Sequence, residues 1–577
     1  MTEFYYSREL AHLRELAAEF ARAHPALAPM LSEQSADPDV ERLLEGTAFL
    51  SGLLSEKIED DLPEIVHGLM RLVLPHYLRP IPSMSMIQFT PKPSLRETVT
   101  VPRGTRIDSV PVNSVSCGFT TCYDVPLHPL GLTRAEYKRG PGESPKVTLE
   151  LELKGITLNS WSPGPLRFHL AGPFPRAAER FDLLANNIRS LRVQPASGGQ
   201  GMTLPGSAWQ PVGFAPEESL LPYPGNAFPG YRIVQEYFIF PEKFLFFDLV
   251  GLEQWTNRGN GTRFELTFEL YQAPQADPEL KAGHFALFAA PIINIFPASA
   301  EPILLDHRKS EYILRPSEGT QDHYQVYAVD KVTGVEQGTV TTREYLPFEM
   351  FNPQAQAAPV YTVHTRHSAL RDRAEMFLSV AYTGQESNPR TETLSVDIQC
   401  TNADLPESLE LGDINKPTET SPELATFQNI RTPTSPAQPP LGKNMLWRFL
   451  SHLYLNYLSI ADVTSLREIL KLYIFSQTKE QNQVLANTRR IEALTDLQTN
   501  PAHRIFKGQV LRGQDIVLTL DPNGFTGRGD IRLFCSVLDT FLAGYAAMNN
   551  YTRLIVRDTL GKELFQWPAR LGERPLL

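Results

Sequence analysis

A chain of 577 residues with 42% hydrophobic and 21% charged side chains has enough apolar material for several packed cores, which excludes a low-hydrophobicity, high-charge disordered chain. Its 54 basic and 65 acidic side chains give a net charge of −11, which repels phosphate backbones and anionic lipid, so nucleic acid is not an expected partner. Four scattered cysteines, Cys117, Cys122, Cys400 and Cys535, make no disulfide framework and suit a reducing compartment.

The opening MTEFYYSREL is polar and acidic where a signal peptide needs a basic stretch and then an apolar one, so export by that route is not expected. From Phe4 to Phe20 apolar residues recur at helical spacing, and the pattern stops near Pro25. A second helix is predicted from Asp37-Pro38-Asp39, with Val40, Leu43, Leu44, Leu50, Leu54 and Ile58 on one face, and a third from Pro63 to just before Pro75. Residues 1–80 thus read as three amphipathic helices carrying seven basic and fourteen acidic side chains. Their net −7 either steers a basic partner or is a solvated face.

After residue 80 the period changes to two, most clearly at 146–154, 262–271 and 393–400, the pattern of half-buried antiparallel strands. Pro/Gly-rich loops between them hold many of the 48 prolines. The apolar windows 236–250 and 284–296 are interrupted by charges, His, Asn or Pro and fall short of a membrane span. Tyr237, Phe238, Phe240, Phe244, Phe246 and Phe247 crowd into the first of them; they are either core or an exposed protein-binding patch. NIRTPTSPAQPPLG (429–442) is composed like a semi-rigid linker or partner-binding arm. Beyond it Trp447, Leu450, Leu453, Tyr454, Tyr457 and Leu458 form a helical stripe, Ser465 to Glu468 reads as a capping box, and a last helix over 531–548 precedes a strand. The expected fold class is α+β: a helical segment (1–80), a β-rich domain (81–275), a second β-rich domain ending in the Pro-rich linker (276–440) and a mixed α/β domain (441–577).

No catalytic motif holds up. LGKN (441–444) lacks the glycine and hydroxyl residue of a phosphate loop, and GFTGRGD (524–530) has the wrong spacing for a dinucleotide fingerprint, so it reads as a tight turn. Asp521-Pro-Asn523-Gly524 lacks the remainder of a calcium loop. Cys117 and Cys122 have no second ligand pair for zinc, and His364 and His367 have no acidic residue placed to orient them. No metal, cofactor or small-molecule substrate is expected.

Ten segments, taken together and in order, resemble the TssF (VasA/ImpG) family of type VI secretion baseplate subunits. They are FYYSREL with LRELAAEFARAHPALA, DPDVERLLEGTAFL, LPHYLRPIPSM, PRGT with CGFTTCYDVPLHPL, GYRIVQEYFIFPEKFLFFDL, APIINIFPASAEPILLDH, YQVYAVDKVTG, CTNADLP, WRFLSHLYLNYLSI and FCSVLDTFLAGYAAMNNYT. The resemblance implies a non-enzymatic, phage baseplate wedge-like subunit in the cytoplasm, assembled with TssG, a second TssF copy, TssK and TssE around the VgrG hub. That platform carries the tail tube and contractile sheath and meets the membrane only through the secretion complex. Within that frame the interface candidates are Val40, Leu43, Leu44 and Leu54 on the second helix and Tyr237, Phe238, Phe240 and Phe244 in the aromatic segment. The alternatives are a wedge protein of a contractile phage tail or, from another class, a β-rich cytoplasmic metallohydrolase.

Overall fold

The computed structural model describes residues 2–23, 38–140, 144–185, 187–223, 228–274, 276–319, 322–336, 342–348, 359–368, 373–382, 391–441, 462–475, 481–506, 509–546 and 550–572. The chain divides into two compact units, residues 1–78 with 440–453, and residues 79–439 with 454–577.

The described residues of the first unit are mainly helical. α1 (Thr2–Ala23) packs against α2 (Pro38–Val73). Along α1, Tyr6, Leu10, Leu13 and Ala17 are half-buried at the three- and four-residue spacing of one helix face. The expected break at Pro63 is absent: α2 is one 36-residue helix, so the three predicted helices are two. An internal proline removes one backbone donor and costs about 3 kcal/mol, which a long helix with apolar spacing on both sides of it can carry. α2 ends just before Pro75, because the residue preceding a proline is disfavoured in the helical region.

The second unit is built on sheets. One takes the order Ala425–Asn429, Met84–Pro91, Ala289–Ile293, Val115–Thr121, Arg106–Val112. A second takes Met202–Pro205, Ile188–Pro195, Arg263–Leu270, Lys146–Leu153, Leu130–Lys138. The period-two expectation is met here: Val147, Leu149, Leu151 and Leu153 are buried, and Leu149 and Leu151 lie opposite Leu266 and Phe264. Phe285–Leu287 joins Leu166–Leu170 in a third sheet. The strands between Phe296 and Thr401 form a larger sheet around Val332, Leu378, Leu394, Val396 and Ile398. A domain boundary at 276 would cut the first and third of these sheets, because strands after it return to pair with strands before it.

Residues 429–437 of the Pro-rich stretch are not a free linker. They lie along residues 81–91, with Ile430 N donating to Met86 O at 2.8 Å, Thr434 N to Met84 O at 2.8 Å, and Ala437 exchanging backbone bonds with Ile81. Pro433 and Pro436 fall between these donors, so the ladder loses nothing by their missing N–H groups. The 447–458 stripe lies outside the described residues.

In the C-terminal part, α5 (Val463–Leu472) is capped by Asp462, whose carboxylate accepts from Ser465 N at 3.2 Å; the cap is three residues ahead of the predicted one. α6 (Gln481–Glu492) leads into the hairpin Leu494–Phe506 and Gln509–Leu520. Gln509–Leu520 pairs in parallel with Asn550–Asp558, and the parallel pairing needs a crossover, which α7 (Arg528–Ala543) supplies.

Candidate protein-interaction surface

The interface candidates divide by where the structure places them. On α2, Leu44 is half-buried and Ala48 fully buried, with Gly52 buried one turn on. Leu43 is 71% exposed and Leu50 68% exposed, with Phe49 and Leu53 also exposed. Successive residues on an α-helix are about 100° apart, so Leu43 and Leu44 cannot share a narrow face. The Leu44-Ala48-Gly52 row is the covered side. Leu43, Gly46, Leu50 and Leu53 form a second row on the other side, and a Cβ added at Gly46 would meet nothing within 4 Å. The single seam expected from the sequence is therefore two faces, of which one is covered. The side chains of Val40 and Leu54 lie outside the described ones. Leu16 and Phe20 on α1, and Leu69 and Leu72 near the end of α2, add further exposed apolar side chains.

The aromatic segment is core. α4 (Pro229–Ile239) and the turn after it bury Tyr237, Phe238, Phe240 and Phe244, so the exposed-patch reading of those four does not hold within this chain. Tyr237 lies 6.0 Å from Phe244 and 5.5 Å from Phe534 of α7, ring centre to ring centre. Glu236 and Lys243 find their partners within the chain. Glu236 Oε1 accepts from Leu220 N at 2.8 Å and Leu221 N at 3.0 Å, and Oε2 pairs with the Lys243 ammonium. Burial pushes Lys243 below the usual lysine range, and the Glu236 carboxylate opposes that shift. The carbonyl of Phe238 accepts from Gln483 and Asn487 of α6, both at 3.0 Å. The segment therefore ties α6 and α7 to the sheets.

Sequence reasoning missed a buried junction between three distant segments. Asn402 Oδ1 accepts from Gly118 N at 2.9 Å and from Asn294 Nδ2 at 2.8 Å, while Asn294 Nδ2 also donates to Gly118 O at 2.7 Å and Asn294 Oδ1 accepts from Asn402 N at 2.8 Å. These residues come from CGFTTC, APIINIF and CTNADLP. A buried amide must find partners, so Asn294 inside APIINIF and Asn402 in CTNADLP were the available signal; Gly118, which contributes only backbone, gave none.

The Cys117 and Cys122 thiols are buried, and burial pushes Cys117 up to about 11 and Cys122 up to about 12, so both stay protonated near neutrality. Among the described residues no cluster of three or more His, Cys, Asp or Glu could hold a metal ion. Asp521 caps a short turn, accepting from Asn523 N at 3.0 Å, and GFTGRGD leads from that turn into α7. His364 and His367 lie on the strand Val360–His367. Among the described residues no helix is long and apolar enough to cross a membrane.

The family model "Type VI secretion system, TssF" matches residues 2–574. A relative from Pseudomonas aeruginosa, the "Type VI secretion system component TssF1", is 29% identical over 99% of both chains. A chain in a cryo-electron microscopy structure of a type VI secretion TssK-TssF-TssG baseplate subcomplex superposes with a TM-score of 0.78 at 30% identity, over 93% of this chain and 99% of that one. A chain of a type VI secretion baseplate complex shares the fold, with a TM-score of 0.62 at 24% identity over the whole of both.

Proposed function

Because this chain belongs to the type VI secretion system TssF family and is a component of that system's baseplate, we propose that it acts as a wedge subunit whose N-terminal helices pair with helices of TssG. One observation carries this reading: α2 is apolar on two sides, and the Leu43-Leu50 side is exposed. A helix that is apolar on two sides is stable in water only when both are covered, and a partner helix is the simplest cover. The relative of known structure assembles with TssG and TssK, which supports the same neighbours here. A second copy, TssE and the VgrG hub complete the assembly we envisage, in the cytoplasm and without catalysis. The matches favour neither the phage-tail nor the metallohydrolase alternative.

Co-expression with TssG tests this. The complex should elute together on size exclusion and raise the soluble yield. A chain that is equally soluble and monodisperse alone, and that does not retain TssG, would overturn the proposal.

A further inference from the structure

The hairpin of Leu494–Phe506 and Gln509–Leu520 carries a surface that the TssG reading does not use. Leu494–Phe506 is the edge of its sheet. From Gln498 to Gln514 none of the described side chains is buried, on either face of the ribbon. The described part of the neighbouring strand begins at Asn550 opposite Arg512, so among the described residues the pairs Arg504 with Leu511, Ile505 with Val510 and Phe506 with Gln509 have no third strand beside them. Two-stranded ribbons are marginal in water, and exposed edges invite pairing unless they are covered or blunted. Pro501 blunts this edge at one position only.

Directly opposite residues of an antiparallel pair share a face, so His503 and Arg512 lie side by side, with Val510 diagonal to them and 67% exposed. Arg504 points to the other face, where its guanidinium sits 5.6 Å from the Tyr551 ring centre. Among the described residues Arg512 has no carboxylate partner. The face thus offers a cation beside an apolar side chain, in a chain of net −11.

The complementary surface is on α1. Glu15 and Glu19 are exposed at four-residue spacing, which places like charges together at a small cost in helix stability. Beside them Leu16 is 46% exposed. This row pairs carboxylates with an apolar group, as the ribbon pairs a cation with an apolar group.

We propose that the His503-Arg512-Val510 face of the ribbon docks on the Glu15-Leu16-Glu19 row of α1 in a second copy of this chain. The proposal rests on the reading that a second copy is present in the assembly. Charge complementarity makes the contact salt-dependent and sets its orientation.

A charge swap tests it on the full chain by sedimentation velocity at low salt. One variant carries His503→Glu and Arg512→Glu, the other Glu15→Lys and Glu19→Lys; all four positions are exposed, so circular dichroism and thermal midpoints should match the parent. The parent should self-associate in a concentration-dependent way. Each variant alone should associate at least tenfold more weakly, and the equimolar mixture should recover the parent affinity, because an acidic ribbon then meets a basic helix. A parent that stays monomeric, a ribbon variant that associates like the parent, or a mixture that does not recover would overturn the proposal. So would binding of a single-stranded RNA or of phosphatidylserine vesicles that the ribbon variant loses while self-association persists. Retention of TssG by the ribbon variant is read separately, so failure here is distinguishable from failure of the TssG reading.

Discussion

Arg490 grips Asp530 from two nitrogens: Nε donates to Oδ1 at 3.0 Å and to Oδ2 at 3.2 Å, and Nη2 donates to Oδ2 at 3.2 Å. Both side chains are buried, Thr526 N and Oγ1 donate to the same carboxylate at 3.0 and 3.1 Å, and the Tyr237 hydroxyl donates to Oδ1 at 3.4 Å. The pair joins α6 to α7 beside the aromatic segment. Removing one partner of such a pair strands the other charge in a site that water cannot reach. Asp530→Ala should cost about 3–5 kcal/mol, whereas Arg490→Met with Asp530→Leu should be closer to neutral. Thermal midpoints of the three proteins check this; equal midpoints for the parent and Asp530→Ala would show that the pair does not hold the helices.

Gly529 sets the approach of α7 to α3 (Phe174–Leu184). A Cβ at Gly529 would lie 2.2 Å from Ala178 O and 2.5 Å from Glu179 N, both backbone atoms that cannot swing aside. The close approach also lets Gly529 N donate to Glu179 Oε1 at 2.9 Å. Gly529→Ala should therefore cost about 1–3 kcal/mol or more by overpacking, despite alanine's better helix propensity. Gly46→Ala on the open face of α2 is the control, and should be neutral or stabilising by up to about 1 kcal/mol. A Gly529→Ala protein that melts with the parent would sink this reading.

Two histidines should give the fold an acid limb. His169, its ring 4.6 Å from Phe246, is pushed down to about 3 by burial and then by the Arg431 charge. Burial pushes His128 down to about 4. In the unfolded chain both titrate near 6.5, so between about pH 6.5 and 4 the unfolded state binds more protons than the folded one. Stability is then full above pH 6.5 and falls as the pH drops, by up to about 1.4 kcal/mol per pH unit for each histidine. Thermal midpoints from pH 7 to 4.5 should show a shallower decline in His169→Leu than in the parent. An unchanged slope would show that His169 takes up no proton on unfolding in this range.

The parts of the fold legible in the sequence are those fixed by local period. Lys146–Leu153 and Arg263–Leu270 alternate because one face of their sheet is buried, and that alternation is visible in sixteen residues read alone. Pairing between distant segments is not local, so the return of Ala289–Ile293 and Ala425–Asn429 to Met84–Pro91 had no signature, and the boundary at 276 fell across it. The aromatic segment is ambiguous for a different reason. Tyr and Phe crowd equally into cores and interfaces, and the residues that make it core, Phe534 and Asp530, lie almost 300 positions away. On α2 the spacing rule admitted Leu43 and Leu44 together, because a helix apolar on two sides satisfies it twice.

That division of α2 yields the sharpest test of the proposed function. Leu44 is half-buried in a row with Ala48, so Leu44→Asp places a carboxylate against the covered side and should loosen the helical unit, lowering helical circular dichroism and the thermal midpoint. A charge left without a partner there costs several kcal/mol, on the order of the desolvation penalty. Leu43, 71% exposed, meets water in the isolated chain, so Leu43→Asp should leave the spectrum and midpoint within about 0.5 kcal/mol of the parent. If TssG covers the outer row, the same substitution buries a charge on assembly, and TssG should be lost from pull-downs by at least tenfold. Leu50→Asp, one heptad further along the same row, should behave like Leu43→Asp. A folded Leu43→Asp protein that retains TssG at parent affinity would remove the outer row of α2 from the interface. A Leu43→Asp protein that unfolds would show that the row is already covered within the chain.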